Sequence, residues 1–320
     1  MTSTPLVTVV IPCFNQARYL GDAVQSVRAQ GYPTIECIVV DDASADGTAA
    51  LARTLAVRVV EQRVNQGVSA ARNAGLAAAH GDLVVFLDAD DELLPDAIEH
   101  HAGALAAHPH ATAVVGRCEA MDGDGNPLPV SHHAVDPSRL YEEWLSRNFV
   151  WTPGAAMFRR RELEALGGFP AMLGPAADYS LYMQLARADR IVYVPVPIVR
   201  YRQHDASMSR DPALMLRATL AALRRERIAA PQWAHAAIRR GHRVWCDWYG
   251  EQIVHRLRRD WRARRFGPTE LQLVATLVRH CPGLIARHAT RKMRLGLGSA
   301  LGRAWRQILQ VPSTLRKAAR

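Results

Sequence analysis

Short apolar runs alternate with stretches of helical character through the first 90 residues of the chain. Four runs are rich in β-branched residues, and they occupy residues 6–11, 35–40, 57–60 and 83–87. Runs of this length predict strands, and those at 6–11 and 35–40 are predicted to be buried in a sheet. Between them, residues 20–27 carry apolar side chains at helical spacing and residues 68–79 are rich in alanine, which predicts helices. The alternation favours an α/β fold with a mostly parallel sheet.

Acidic side chains follow directly after two of the predicted strands. Asp41 and Asp42 come after the second strand, and residues 88–91 read Asp-Ala-Asp-Asp after the fourth. The carboxyl ends of parallel strands share one edge of the sheet, and ligands bind beyond that edge. Carboxylates gathered there repel one another unless a cation or hydrogen-bond donors compensate, and their oxygens suit Mg²⁺ or Mn²⁺. The alternative is that both stretches are solvated and cap the helices that follow.

Two common nucleotide-binding motifs are absent from the sequence. The chain contains neither Gly-x-Gly-x-x-Gly nor Gly-x-x-x-x-Gly-Lys-Ser/Thr. Their absence disfavours a dinucleotide-binding protein and a P-loop nucleotide hydrolase. The acidic edge therefore indicates a site that belongs to neither of these two classes of nucleotide-binding protein.

The formal charge of +10 conceals two segments of opposite sign. Residues 1–214 contain 17 arginines and 25 acidic residues, whereas residues 215–320 contain 23 basic and 5 acidic residues. An acidic segment is suited to holding a cation, and a basic segment attracts anionic partners. The charge distribution therefore predicts two parts with different tasks.

Motifs at the predicted strand ends follow one another in order over residues 5–210. Those of the first half are Val9–Asn15, Val39–Ser44, Asn65–Gly75 and Phe86–Asp91. Those of the second half are Gly167–Pro170, Ala177–Leu185 and Tyr201–Ser209. Together they resemble the nucleotide-sugar half and the acceptor half of glycosyltransferase family 2. The resemblance implies the GT-A fold, a Rossmann-like α/β fold whose mostly parallel central sheet is flanked by helices.

The same resemblance implies how the chain is organised. Residues 1–210 would form the GT-A glycosyltransferase domain, with the nucleotide-sugar half in 1–116 and the acceptor half in 117–210. Residues 211–320 would form a basic, helical C-terminal extension, because the chain beyond residue 210 is rich in arginine and helical in pattern.

The family motifs also imply donor-binding and metal-binding positions. The residues that would border the nucleobase, ribose, sugar or diphosphate of the donor are Pro12, Asn15, Asp41, Asp42, Asn65, Gly67, Arg72 and Asp88. Asp90 would hold a divalent ion, Mn²⁺ or Mg²⁺, on the diphosphate. His204 resembles the family's C-terminal site histidine and would contact the metal or the diphosphate, the alternative being a structural histidine. Arg202, in the same motif, would reach the phosphates or cap the following helix.

The catalytic base of the family lies in a Glu-Asp pair that opens a helix. The aligned position here is Asp178, and the chain departs from the pattern by placing Ala177 where the family has Glu. In an inverting transfer the base takes the proton of the acceptor hydroxyl during its attack on the anomeric carbon. Trp151 opens a segment, 151–158, that is predicted to form a strand facing the acceptor. Its indole would stack on an acceptor sugar or pack in the core.

The resemblance predicts an inverting, metal-dependent glycosyltransferase. It would move a sugar from a nucleoside-diphosphate sugar, most simply a UDP-sugar, to a hydroxyl of a glycan or lipid-linked acceptor in cell-surface polysaccharide synthesis. One alternative is a catalytically degenerate binding module, which Ala177 supports. The other is a sugar nucleotidyltransferase, but such an enzyme needs a Gly-rich loop with a basic residue after the first strand, and residues 12–15 do not provide one.

The last part of the chain predicts a membrane contact. Apolar residues spaced for one helix face are Leu297, Leu301, Trp305 and Ile308, with arginines close by. A basic amphipathic helix with Trp is typical of binding to an anionic membrane surface. Packing on the catalytic domain is the alternative, and no nucleic acid is expected as a partner. Scattered cysteines and the absence of a signal peptide or a spanning run predict a cytoplasmic protein, peripheral on the inner face of the membrane.

Overall fold

The computed structural model describes residues 4–131, 134–205 and 207–294. The chain divides into two compact units, residues 1–245 and residues 246–320. The first strands and helices of the chain alternate: β1 (Val7–Cys13), α1 (Leu20–Arg28), β2 (Ile35–Asp41), α2 (Thr48–Thr54), β3 (Arg58–Glu61), α3 (Val68–Ala78) and β4 (Leu83–Phe86). The four strands and the two helices that the sequence predicted in this part are confirmed.

These four strands pair in parallel in the order β3-β2-β1-β4. Every residue of β1 and of β4 is buried, which explains the continuous apolar runs in their sequences. Helix α3 lies very close to the sheet, since a Cβ added at Gly75 would stand 2.2 Å from Val10 Cγ1. Parallel pairing puts the carboxyl ends of β1, β2, β3 and β4 at one edge, as predicted.

The second half of the first unit extends the same sheet. Its elements are β5 (Glu92–Leu93), α4 (Ala97–Ala107), β6 (Ala113–Asp122), β7 (Pro127–Leu128), α5 (Leu140–Ser146), β8 (Ala156–Arg159), α6 (Arg160–Ala165), α7 (Ala177–Arg187) and β9 (Ile191–Gln203). The sheet order is β3-β2-β1-β4-β8-β6-β9-β5, with β7 paired to β6. Strand β8 is antiparallel to both neighbours, whereas β9 is parallel to β6. The predicted α/β fold with a flanked central sheet is confirmed, and its second half is mixed in direction.

The predicted strand over 151–158 is wrong in its first half. Residues Pro153–Ala155 form one turn of 3₁₀ helix, and β8 begins only at Ala156. Pro153 has no N–H to donate to a sheet ladder, and the Thr152 hydroxyl instead accepts from the Gly154 amide. The chain therefore turns at this point, next to the end of β4, before it enters the sheet.

Between residue 207 and residue 294, the last that the structure describes, the α-helices are α8 (Pro212–Ala229), α9 (His235–Arg262), α10 (Pro268–His280) and α11 (Pro282–Arg294). Asp211 caps α8 by accepting from the Ala213 and Leu214 amides, and Pro212 occupies the first helical position. The predicted helical extension is confirmed as far as residue 294. The predicted apolar stripe 297–308 lies outside the described residues. Within the described residues, every helix is too short or too polar to span a bilayer.

Candidate active site

The ends of β1 and β2 are tied together by crossed hydrogen bonds. Asn15 Oδ1 accepts from the Ala45 amide at 2.8 Å, and the Asn15 amide donates to Ser44 Oγ at 2.9 Å. Asn15 (φ 55°) and Ala43 (φ 61°) both adopt the left-handed backbone conformation, which alanine seldom takes. Pro12 is buried in β1 just before this turn. The two strand ends therefore form one fixed rim.

Asp41 and Asp42 are both buried but differ in what their oxygens contact. Asp42 Oδ1 accepts from the Gln66 amide at 2.7 Å and Oδ2 from the Gly67 amide at 2.8 Å, so this carboxylate fixes the loop after β3. Asp41 Oδ2 accepts from the Ser44 amide at 3.1 Å. Asp41 Oδ1 is buried and has no hydrogen-bond partner among the described residues. A buried oxygen in that state costs free energy unless a ligand supplies a donor.

Helix α3 begins at the end of this loop and carries Arg72 into the site. Gly67 stands at the N-cap with φ 87°, and Asn65 Oδ1 also accepts from its amide, at 3.2 Å. Arg72 is only 4% exposed, and its Nη2 donates to Asp88 Oδ1 at 2.7 Å. Burial acts to lower the pKa of Arg72, but the nearby carboxylates of Asp88 and Asp178 raise it above its ordinary value.

Asp90 and His204 face each other from the ends of two elements of the sheet. Asp90 lies in the turn after β4, His204 follows the last residue of β9, and Asp90 Oδ2 is 2.9 Å from His204 Nε2. The Tyr19 ring packs on the imidazole with the ring centroids 4.9 Å apart. Burial raises the pKa of the neighbouring Asp88, an effect that Arg72 opposes and Asp90 reinforces. The turn after β4 thus carries two carboxylates in different surroundings, Asp88 beside Arg72 and Asp90 beside His204.

Arg202 links the residues around Asp90 through buried contacts. Its side chain is 3% exposed, with Nε donating to the Asp90 carbonyl at 2.8 Å and Nη2 donating to Glu92 Oε1 at 2.6 Å. Its amide donates to Asp91 Oδ1 at 2.9 Å, and its guanidinium lies 4.9 Å from the centre of the Tyr19 ring. These contacts engage the guanidinium inside the protein, which favours a positioning role for Arg202 over the predicted phosphate contact.

Asp178 lies in the first turn of α7 and is 5% exposed. Its Oδ1 accepts from the Tyr179 amide at 2.7 Å. Burial raises the pKa of Asp178 to about 6, although the Arg72 guanidinium and the Tyr179 N–H favour the carboxylate. Such a group is ionised at neutral pH and basic enough to accept a proton. Ala177 beside it is fully buried and brings no polar atom to the site.

Arg72 connects the two halves of the site electrostatically. It pairs with Asp88 from the turn after β4, and both Asp88 and Asp178 raise the pKa of its guanidinium. The Asp90 carboxylate in turn raises the pKa of Asp88, and Asp90 contacts His204. The structure thus brings the predicted base, the predicted metal ligand and the predicted donor contacts to one edge of the sheet. Their binding roles stay predictions.

Trp151 is the predicted acceptor residue, and the structure leaves it partly accessible. Its side chain is 36% exposed, and its ring stands edge-on to Tyr201 with the centroids 6.4 Å apart. Next to it, Thr152 Oγ1 lies 3.5 Å from Asp88 Oδ2. Trp151 therefore lies beside the acidic cluster rather than deep in the core.

The residues present fit a divalent ion that arrives with its substrate. Among the described residues, no three His, Cys, Asp or Glu side chains form a cluster that would hold an ion unaided. The Asp90 and His204 side chains nevertheless point at each other with their ligating atoms 2.9 Å apart. Mg²⁺ commonly uses one or two protein ligands and completes its shell with phosphate oxygens and water. A two-ligand protein site suits an ion bound to a diphosphate.

Sequence reasoning missed Asp91 and the buried role of Arg202. Asp91 is 1% exposed, and burial raises its pKa well above the ordinary value. Its contact with the Arg202 amide spans 111 positions of sequence, so no local pattern reveals it. The sequence signal that could have shown the role of Arg202 is its spacing two residues before His204, because alternate residues of an extended chain lie on the same face.

Comparison with known proteins supports the family resemblance of the sequence motifs. A model of the family described as Glycosyl transferase family 2 matches residues 8–167, half of the chain. TuaG of Bacillus subtilis, a glycosyltransferase named for teichuronic acid biosynthesis, is 34% identical over 151 residues. That match covers 46% of this chain, and the chain spans 59% of the length of TuaG.

Two solved structures share the fold. The mannosyltransferase PcManGT of Pyrobaculum calidifontis, in complex with GDP-Man and Mn²⁺, superposes with a TM-score of 0.58 at 22% identity over 95% of this chain and 84% of its own. S. aureus TarS 1–349 in complex with UDP-GlcNAc gives a TM-score of 0.55 at 19% identity over 68% of this chain and 65% of its own. At these identities the likeness concerns the fold.

Proposed function

This chain belongs to glycosyltransferase family 2, and we propose that it transfers a sugar from a nucleoside-diphosphate sugar to a hydroxyl group with inversion at the anomeric carbon. The observation that carries the proposal is the pairing of Arg72 with Asp88 beside a buried Asp178. Asp178, a carboxylate of raised pKa, thus lies close to Arg72 and Asp88, and Asp88 lies close to a second pair, Asp90 and His204. A base and a diphosphate-binding edge within one cluster are the two parts that the reaction needs.

The donor half favours a uracil base. Asp41 has one oxygen bonded to the Ser44 amide and one buried oxygen without a partner among the described residues. The uracil N3–H presents a single donor, which matches that one oxygen, whereas guanine presents adjacent donors that suit a carboxylate with both oxygens free. Asp42 would act indirectly by holding the Gln66–Gly67 amides in place.

Asp90 and His204 would hold a divalent ion, Mn²⁺ or Mg²⁺. When bound, the ion neutralises charge on the diphosphate leaving group. The protein's own contribution is geometric, because Arg202 fixes the Asp90 carbonyl and the Tyr19 ring packs against the imidazole of His204. Both ligands are thereby held ready before the donor binds.

Asp178 would accept the proton of the acceptor hydroxyl. Above pH 6 its carboxyl is ionised, and the nearby Arg72 guanidinium stabilises that form. One retained carboxylate is sufficient for this role, so the Ala177 substitution leaves the base in place. Trp151, 36% exposed beside Thr152, would stack on a sugar of the acceptor.

The acceptor that we propose is a glycan or a lipid-linked glycan of cell-surface polysaccharide synthesis. The name of the relative TuaG supports this class of product. A lipid-linked acceptor would bring the protein to the inner face of the membrane, with part of the basic C-terminal region as the contact with anionic lipids.

Transfer assays with a panel of donors test the proposed activity. Purified protein would be incubated with UDP-, GDP- and dTDP-sugars, Mn²⁺ and glycan acceptors, and release of nucleoside diphosphate would be measured together with the glycosylated product. We expect turnover with a UDP-sugar and its loss in Asp90→Asn. Asp82→Asn is the matched control, since Asp82 is exposed at the opposite end of β4.

Two outcomes would contradict this assignment. UDP binding without turnover for any donor and acceptor would favour the degenerate binding module. Equal activity of Asp90→Asn and the wild type would remove the proposed metal ligand from the reaction.

A further inference from the structure

The second compact unit carries a surface on which arginines alternate with exposed apolar side chains. It lies between the last turns of α9 and the outer face of α10, residues 255–279, which we call the α9–α10 corner. Residues 261–266 of this corner read Trp-Arg-Ala-Arg-Arg-Phe, and all six are exposed. Consecutive exposed residues of this kind are unusual on a protein that meets only water.

The corner has a large excess of positive charge. It contains seven arginines and two acidic residues. Both acids are engaged within the unit: Asp260 lies 3.6 Å from Arg256 and 3.3 Å from Arg259, and Glu270 accepts from the Gly267 amide at 2.8 Å. The arginines also line a hollow of about 630 Å³, whose wall is formed by His255, Arg258, Arg259, Arg262 and Ala263. Three of these five residues are arginines, and clustered guanidinium groups suit a phosphate group.

Large apolar side chains stand exposed next to these arginines. Trp261 is 43% exposed and lies edge-to-face with Phe266, their ring centroids 5.5 Å apart. On α10, Leu271 (58% exposed) and Val278 (46% exposed) are seven positions apart and border the buried stripe of Leu273, Val274 and Leu277. The apolar surface of α10 therefore extends from its buried side out to solvent, and this exposed part follows directly from the arginine-rich loop.

We propose that the α9–α10 corner docks on an anionic lipid bilayer. Phosphate headgroups would enter the basic hollow, and Trp261, Phe266 and Leu271 would lie at the boundary between headgroups and acyl chains. Charge complementarity selects an anionic partner, and the exposed aliphatic side chains select a membrane over a nucleic acid, whose phosphate backbone offers leucine and valine nothing to bind. The inference deepens the proposed function only by naming the membrane-contact surface.

Vesicle co-sedimentation of the full chain tests this surface without any sugar donor. The vesicles are phosphatidylcholine alone or a mixture of phosphatidylcholine and phosphatidylglycerol. The corner variant combines Arg262→Gln, Arg265→Gln and Leu271→Ser. The matched control combines Arg224→Gln, Arg225→Gln and Ile228→Ser on α8, where all three residues are also exposed. Both variants lose two charges and one aliphatic side chain.

We expect the wild type and the control to bind the anionic vesicles equally, within twofold, and to release them at high salt. The corner variant should partition at least tenfold more weakly, because each arginine near the surface contributes separately to binding. Equal binding by the corner variant would overturn the proposal. The proposal would also be overturned if the wild-type protein did not bind anionic vesicles, or if an RNA oligonucleotide displaced it from them. Because the assay needs no turnover, a failed transferase assignment would leave its result unchanged.

Discussion

Asp178 shows how burial can set the chemistry of a single residue. Its carboxyl is almost enclosed at the start of α7, yet the guanidinium of Arg72 keeps it from becoming fully neutral at physiological pH. The pKa of about 6 is a balance between these two effects. A general base is most effective when its pKa lies near the working pH.

The pH dependence of transfer follows from that balance. Because Asp178 must be ionised to accept a proton and has a pKa of about 6, kcat/KM should fall tenfold per pH unit below pH 6 and level off above it. The measurement is the pH profile between pH 4.5 and 7.5. Calorimetric titration of UDP with Mn²⁺ at the same pH values separates protonation of the base from loss of the metal. A flat profile through pH 5 would exclude Asp178 as the base.

Arg202 illustrates a residue whose role depends on distant partners. Its guanidinium contacts the Asp90 carbonyl and Glu92, so Arg202→Gln should loosen Asp90 and raise the Mn²⁺ concentration needed for half-maximal activity about tenfold or more. Folded protein would be checked by circular dichroism, because breaking a buried ion pair also lowers the free energy of unfolding. The matched control is Arg200→Gln on the same strand, where the side chain is 42% exposed.

An unchanged Mn²⁺ requirement in folded Arg202→Gln protein would show that Asp90 is positioned by other contacts. A similar rise in Arg200→Gln would show instead that the effect comes from loss of charge on β9 in general.

At the scale of elements, the donor half could be predicted from local pattern and the acceptor half could not. Strands β1 and β4 are buried at every position and β2 over its last four residues, so their apolar runs reveal them. Strand β8 pairs with β4 and β6, which lie far from it in sequence. Its first residue could not be predicted, because a turn at Pro153 interrupts the apolar run before it. Register between such distant strands is set by tertiary contacts that local sequence does not encode.

Helix α3 offers a test of element packing. Alanine at Gly75 would place its Cβ 2.2 Å from Val10 Cγ1, so Gly75→Ala should lower the free energy of unfolding by about 1–3 kcal/mol. The matched change Gly103→Ala on α4 meets nothing within 4 Å and should stabilise by about 0.4–1 kcal/mol. Urea denaturation measures both. A stabilised Gly75→Ala protein would show that α3 lies further from the sheet than described.

At the scale of the whole molecule, the motifs identified the family and the edge of the sheet where its site lies. They could not distinguish Asp41 from Asp42, since both follow the same strand and only their contacts in space differ. Nor could they reveal the α9–α10 corner, because the exposed Leu271 lies only three positions before the buried Val274 on α10, and helical spacing does not separate two such residues.

The stability of the whole chain should respond to removal of the buried charge. The folded-state pKa of Asp178, about 6, exceeds the ordinary value of 3.8, so its stabilising contribution is complete below pH 3.8 and is lost as the pH rises through 6. Asp178→Asn keeps the side chain neutral and should therefore unfold, at pH 7.5, at a temperature equal to or above that of the wild type. A clearly lower unfolding temperature would mean that the carboxylate stabilises the fold.

The most direct test compares binding with turnover in Asp178→Asn. UDP affinity in the presence of Mn²⁺ would be measured by calorimetry, and sugar transfer with the donor that the wild type uses. Asp189→Asn, exposed just beyond the other end of α7, is the matched control. We expect unchanged UDP affinity in both variants and a loss of transfer of about 10²- to 10⁴-fold in Asp178→Asn alone. Transfer by Asp178→Asn within twofold of the wild-type rate would contradict it.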